Sequence, residues 1–322
     1  MAKFKWGILG TGSIAHKFAE GLQAIPDAEL LAVGSRTPEK ADKFGAEFKV
    51  PRRHASYAAL AADPDVEAIY VSTPHQLHRE AAVLCLKAGK AVLCEKPFTI
   101  NAKEAQAMIA AARKHKKFLM EAMWTRFNPV SRKVLELVKS GAIGPVQMLH
   151  ANFGFRAGWQ PESRLLNPQY GGGGLLDVGV YCVSYARMIF GMGPAAVAGF
   201  AEIGQTGVDE QAVWTFKYPN GKLAAMSAGV RTNTPHEVTI MGTDGMIRVP
   251  DFWHATRYVL NGKEEQVEIV GNAYNYEAVE VQKCVRAGKL ESDILPLAET
   301  LEIMQTLDQL RAQWGLRYPM EK

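Results

Sequence analysis

Thiols are scarce in this chain, and none are paired by spacing. Of 322 residues only Cys85, Cys94, Cys182 and Cys284 are cysteines, and no two form C-x-x-C. Cys85, Cys94 and Cys182 stand in apolar surroundings, so they read as reduced, packed thiols and not as a disulfide framework. No apolar run approaches the roughly 20 residues of a membrane span. The start, Phe4-Lys5-Trp6-Gly7-Ile8-Leu9-Gly10, has no apolar h-region and no cleavage site, so no signal peptide is read and a cytoplasmic protein is expected. Long runs of one charge are missing too: 37 Lys and Arg are scattered among 33 Asp and Glu, for a net charge of +4. This argues against nucleic acid or membrane as a partner and leaves a small molecule. There is no internal repeat and no G-x-S-x-G elbow for a serine nucleophile. His75 and His78 are three apart, but no carboxylate or cysteine joins them as a third ligand, so no metal is expected.

What is present suits two domains of ordinary size, with 48% apolar and 22% charged residues. Over residues 1–122, strand-like and helix-like segments alternate. Strands are expected at 4–9, 30–33, 68–71, 91–94 and 118–120, and helices at 13–24, 38–48, 78–88 and from Asn101, whose partner in a capping box is Glu104. This is the pattern of a doubly wound parallel sheet, an N-terminal dinucleotide-binding domain. From 123 to 322 the rhythm changes. An amphipathic helix over 129–140 is followed by strands at 146–155, 197–202, 212–218, 223–230, 237–241 and 246–249. Further helices are read at 178–190, 276–286 and 298–314. This predicts a C-terminal α+β domain with a large, mainly antiparallel open sheet, for substrate binding and oligomerisation.

Gly10-Thr11-Gly12-Ser13-Ile14-Ala15 has the form G-x-G-x-x-A between a strand and a helix. In that context the first glycine permits the tight turn, the second lets backbone approach a pyrophosphate, and the small Ala15 lets helix and strand pack closely. The helix N-terminus then offers unpaired N–H groups and a partial positive charge to phosphate. An NAD site usually places an acid about 20 residues later, on the ribose hydroxyls. Here that corner reads Ser35-Arg36-Thr37, with Lys40 beyond, and has no acid. A guanidinium and two hydroxyls suit a 2′-phosphate, so NADP is expected ahead of NAD.

The order of this loop, Ser72-Thr73-Pro74, Glu95-Lys96-Pro97 and residues 171–181 (GGGGLLDVGVY) resembles the glucose–fructose oxidoreductase / inositol dehydrogenase (Gfo/Idh/MocA) family over essentially the whole chain. Residues 121–127 (EAMWTRF) and 177–182 (DVGVYC) are most similar to its branch of dimeric dihydrodiol dehydrogenases and NADP-dependent xylose dehydrogenases. Many members have histidine at Tyr181, Trp-Arg at Ser163-Arg164 and Thr-Pro-Asn at Thr73-Pro74-His75. The resemblance implies an oxidoreductase moving a hydride between nicotinamide and a secondary alcohol or carbonyl of a sugar, polyol or cyclic trans-diol. The site it implies lies at the crevice between the domains, and the assembly is a homodimer or larger even oligomer.

It also implies roles. Lys96, Tyr181 and Asp177 are the catalytic candidates. Asp177 and Tyr181 are four apart at a helix start, where Asp177 can also serve as a cap. A carbinol that loses hydride must lose a proton, and a phenol ordinarily titrates near ~10, so an ammonium such as that of Lys96 is needed to favour phenolate. Gly10, Thr11, Gly12, Ser13, Ile14, Ser35, Arg36, Thr37, Lys40, Thr73, Pro74, His75, His78, Glu95, Lys96 and Arg164 are expected at the cofactor. Trp124, Phe155, Trp159 and Trp253 are candidate walls for a substrate ring. The glycine run 171–174 is read as room for a ligand. Two alternatives stand beside this reading. One is a catalytically silent NADP-binding sensor, which needs neither Lys96 nor Tyr181. The other is an enzyme passing hydride between two sugars on a retained cofactor; that form is usually exported.

Overall fold

The computed structural model describes residues 2–321. By internal contacts the chain forms two compact units, each discontinuous in sequence. The first holds residues up to Thr99, Lys103–Trp124 and Val270–Thr300; the second holds Ile100–Ala102, Thr125–Ile269 and everything from Leu301. The segment Val270–Thr300, expected within a domain over 123–322, belongs to the first unit.

In the first unit, β1 (Phe4–Leu9), α1 (Ser13–Leu22), β2 (Ala28–Gly34), α2 (Pro38–Glu47), β3 (Arg52–His54), α3 (Tyr57–Ala61), β4 (Ala68–Val71), α4 (His78–Lys87), β5 (Ala91–Glu95), α5 (Ala102–His115) and β6 (Leu119–Ala122) follow one another. The six strands form a parallel sheet in the order β3-β2-β1-β4-β5-β6. Strand β4 is buried at every residue, as expected of a central parallel strand covered on both faces. Tyr70 of β4 stacks on Phe18 of α1 with ring centroids 3.8 Å apart. The order reverses between β1 and β4, so the loops after these strands open at a topological switch point, where ligands of such sheets bind. Strand β3 and helix α3 carry little signal in the sequence: β3 is Arg-Arg-His on the sheet edge and α3 is five residues long.

In the second unit α6 (Pro129–Lys139) is capped by Asn128, whose side chain accepts from Val130 N–H at 2.8 Å. Then come β7 (Val146–Gly154), α7 (Val180–Phe190), β8 (Ala196–Ile203), β9 (Asp209–Lys217), β10 (Leu223–Gly229), β11 (Val238–Gly242), β12 (Met246–Val249), β13 (Arg257–Leu260) and β14 (Lys263–Gln266). They form one eight-stranded sheet, β14-β13-β12-β11-β7-β10-β9-β8, antiparallel except for the β7–β10 pair. The fold is therefore the expected one, a Rossmann-type parallel sheet plus an α+β unit with a mainly antiparallel sheet. Burial alternates along β9: Ala212, Trp214 and Phe216 are buried, while Gln211, Val213 and Thr215 are exposed, so one face of the sheet carries the core. Helix α8 (Asn275–Arg286) returns to the first unit, and α9 (Leu297–Gln313) starts there and continues in the second. Among the described residues no helix is long and apolar enough to cross a membrane.

Candidate active site

The glycine loop takes the shape its sequence requires. Gly10 has φ +103°, and a Cβ there would lie 3.0 Å from the Ser72 carbonyl oxygen, so only glycine fits. Ser72 closes the loop from β4, its N–H donating to Leu9 O at 2.9 Å and its hydroxyl to the same oxygen at 3.1 Å. Gly12 starts α1 with no side-chain cap, and a Cβ on it would meet nothing within 4 Å. Backbone around Thr11, Gly12, Ser13 and Ile14 is thus open to an anion at the helix N-terminus. Beside it, Thr73 Oγ1 is buried without a hydrogen-bond partner among the described residues. An uncapped helix end, an open glycine and an orphaned hydroxyl fit a dinucleotide.

At the end of β2, Ser35 is buried and its Oγ accepts from Thr37 N–H at 3.2 Å. Arg36 is exposed, and its guanidinium carbon lies 5.8 Å from the ring centroid of Tyr57, a residue that carried no signal in the sequence. Lys40 is exposed on α2.

Glu95 ends β5 and Lys96 and Pro97 follow it, and the Lys96–Pro97 peptide is cis. Glu95 is 5% exposed; the Tyr70 hydroxyl donates to it, and Lys96 N–H donates to its other oxygen at 3.1 Å. Lys96 itself is half-buried. His78 is fully buried, with Nδ1 2.9 Å from Pro97 O and Nε2 2.8 Å from Thr73 O. Only an imidazolium could donate to both oxygens, yet burial holds its pKa below the usual range and favours the neutral ring. His78 is therefore a link between the two motif loops. His75 is also buried, its ring 5.7 Å from that of His78, and Pro74 is half-buried. Sequence reasoning missed Glu277 of α8: it is fully buried, neither carboxyl oxygen has a hydrogen-bond partner among the described residues, and burial together with Glu95 and Glu121 pushes its pKa well up. Trp124 is buried and stacked on Tyr274 at 4.2 Å, a packing contact inside the first unit.

In the second unit Asp177 lies inside a π-helical turn, Leu175–Gly179, that runs directly into α7 and Tyr181. This turn starts three residues before the helix expected from the sequence, and Asp209 of β9, not Asp177, takes its first N–H. Arg164 Nη1 donates to Asp177 Oδ1 at 2.8 Å. Tyr181 is 5% exposed and meets Phe153 edge to face at 5.5 Å. Trp253 stacks on Phe153 at 5.3 Å and His236 lies 4.9 Å from it, so Phe153 is the centre of this aromatic cluster, though the sequence reading passed it over. Phe155 is half-buried, and Trp159 is 47% exposed with Arg231 5.5 Å from its ring. Protein atoms fill the room beside the glycine run. Cβ atoms at Gly172, Gly173 and Gly174 would meet Leu165 O at 2.7 Å, Asp209 Oδ1 at 2.1 Å and Gly229 Cα at 3.1 Å. A side chain at any of the three would collide with protein, so the run is required for close packing. Among the described residues no group of three or more His, Cys, Asp or Glu is placed to hold a metal.

Residues 4–123 match the model of the oxidoreductase family with an NAD-binding Rossmann fold, and residues 131–248 match the GFO/IDH/MocA C-terminal domain. The chain is 38% identical to trans-1,2-dihydrobenzene-1,2-diol dehydrogenase of Mus musculus, covering 99% of each, and 34% identical to that of Homo sapiens, again covering 99% of each. Among solved structures it is similar to an aldose-aldose oxidoreductase from Caulobacter crescentus, with a TM-score of 0.89 at 26% identity over 96% of this chain and 97% of that one. A 3-ketoreductase from Actinomadura kijaniata with NADP and TDP-benzene gives 0.84 at 25% identity, over 96% and 97%. The chain is an oxidoreductase of the Gfo/Idh/MocA family, related along its full length to dihydrodiol dehydrogenases.

Proposed function

We propose that the chain is an NADP-dependent dehydrogenase of cyclic trans-diols and sugars, with Lys96, Asp177 and Tyr181 carrying the chemistry. The observation behind it is a buried phenol one helical turn past a buried, Arg164-paired carboxylate, in a chain whose full-length relatives are dihydrodiol dehydrogenases. The nicotinamide, when bound, takes or returns the hydride. Tyr181 takes the hydroxyl proton in oxidation and returns it in reduction. Lys96 stabilises charge on the substrate oxygen. Asp177, oriented by Arg164, receives a second substrate hydroxyl, and the rings of Trp253, Phe155 and Trp159 supply apolar faces to the substrate. The exposed Arg36 over Tyr57, with Ser35, Thr37 and Lys40 beside it, suits a 2′-phosphate. The test is a turnover screen, followed by nicotinamide absorbance, of trans-1,2-dihydrobenzene-1,2-diol, pentoses, hexoses and inositols with each cofactor. Faster turnover with NAD, or none with any diol or sugar, rejects the reading.

A second reading is favoured by the likeness to the aldose-aldose oxidoreductase: the same site passes hydride from one sugar to another on a retained cofactor. Purified protein that carries NADP and turns over a sugar pair with none added would establish it. No observation favours the silent sensor.

Two further proposals concern the whole chain. The outer face of the second sheet carries Phe200 at 82% and Val213 at 57% exposure, paired across β8 and β9, and the paired Met148 and Leu223. Such a patch suits burial against a second copy, so we expect a homodimer or a larger even assembly. Four free, buried cysteines suit the cytoplasm.

A further inference from the structure

The glycine run leads into the turn that bears Asp177, and the protein grips it at several points. Tyr318 Oη donates to Gly172 O at 2.6 Å, and Gly173 N–H donates to Leu165 O at 2.9 Å. The turn itself is held by Asp209, whose Oδ2 accepts from Leu175 N–H at 2.6 Å. Asp209 is completely buried, and its Oδ1 has no hydrogen-bond partner among the described residues. A carboxylate out of water with one oxygen unpaired is costly, and an amide would serve the same N–H at lower cost. What the side chain supplies is an acceptor at a helix N-terminus, where the first N–H groups have no partner within the helix.

The start of this turn matters because it is π-helical. A π turn inside an α-helix holds one extra residue and can lose it by slipping register. A slip of one residue rotates every side chain beyond it by about 100°. Asp177 and Tyr181 both lie beyond Leu175.

We propose that Asp209 is a positioning residue of the active site: by holding Leu175 N–H it fixes the register of the Leu175–Gly179 turn, and so the aim of Asp177 and Tyr181. Asp209 touches neither cofactor nor substrate in this role. The proposal rests on the reading of Asp177 and Tyr181 given above. The charged and titratable groups facing Asp209 are Arg311 of α9 and Tyr318, and Arg311 is itself bonded to Asp308 and Glu321.

The test uses Asp209→Ala, Asp209→Ser and Asp209→Asn, assayed with trans-1,2-dihydrobenzene-1,2-diol and NADP. Misaimed catalytic groups cost up to about 100-fold, so Ala and Ser are expected to lower kcat by about 10- to 100-fold. The Kd for NADP, read by fluorescence, should stay within about twofold, since the glycine loop is untouched. Asn keeps an acceptor for Leu175 N–H and should restore kcat to within a few-fold. On a Tyr181→Phe background most of the Asp209→Ala loss should vanish, because the two act on one group. If Ala does not fold, Ser assayed with NADP bound carries the test. Ala or Ser variants with near-normal kcat, beside a crippled Tyr181→Phe, would overturn the positioning role alone. A loss of kcat that tracks loss of NADP binding would overturn it too, as a general structural effect. A fully active Tyr181→Phe would overturn the underlying reading, and this proposal with it.

Discussion

At the scale of residues, the proposed chemistry is open to direct test. General acid–base catalysis is worth about 10²–10⁴-fold, so Tyr181→Phe should lower kcat by that factor with cofactor binding intact. Lys96→Met should do at least as much damage, since it removes the charge that stabilises the substrate oxygen. Full turnover in Tyr181→Phe with the best substrate would require another proton carrier. Arg36→Ala should weaken NADP by about 1.5–3 kcal/mol, the range for hydrogen bonds to charged groups, and leave NAD nearly unchanged; titration with both cofactors decides it. Burial holds Glu277 well above the usual carboxylate range and Asp209 at about 7 against 3.8 unperturbed. A raised folded pKa gives stability that is complete below the unfolded value and lost as pH rises through the folded one. Asp209→Asn and Glu277→Gln should therefore gain stability relative to the parent as pH rises from about 4 to 8. Urea midpoints at the two pH values measure this, and parallel curves would refute it. The motif residues could be read because they stand in strand–loop–helix context. Glu277 could not, although its spacing from Val281 and Cys284, four and then three residues, puts a carboxylate on an apolar helix face. Asp209 and Phe153 look like ordinary strand residues, and only the tertiary fold shows what they hold.

At the scale of elements, the sequence was legible wherever apolar periodicity was strong. The long buried strands and the amphipathic helices match their expected spans to within a few residues. The elements missed are short: β3, helix α3 and the β13–β14 hairpin, whose edge strand Lys-Glu-Glu-Gln has no apolar face. The hairpin's signal was the turn, since Asn261 and Gly262 both have positive φ, as a two-residue hairpin requires. The packing role of the glycine run is not legible in sequence, because room beside a glycine is filled as readily by protein as by ligand. Gly179 shows this well: a Cβ there would come 3.1 Å from both Leu175 and Trp214 side chains. Overpacking typically costs about 1–3 kcal/mol, so Gly179→Ala should lower the Tm by several degrees and reduce kcat together. An unchanged Tm would mean that α7 moves away from the sheet freely.

At the scale of the whole molecule, light scattering at micromolar concentration should find an even assembly, and Phe200→Lys should shift it toward monomer. A wild-type monomer would dispose of the sheet-face interface. The discontinuous first unit has a consequence for synthesis. Leu119 N–H donates to Leu290 O, Thr300 to Glu121, and Arg286 to Asp27, so the parallel sheet and its neighbours are completed by residues near the end of the chain. Domains usually fold as they leave the ribosome, the N-terminal one first. Here the nucleotide-binding half emerges first but must wait, with Glu121 and the flank of β6 uncovered, until residues 270–300 have been made. The half that starts the chain is closed by a segment from its last sixth, and nascent chains halted before residue 270 should be far more sensitive to protease across residues 4–122 than chains released after 300.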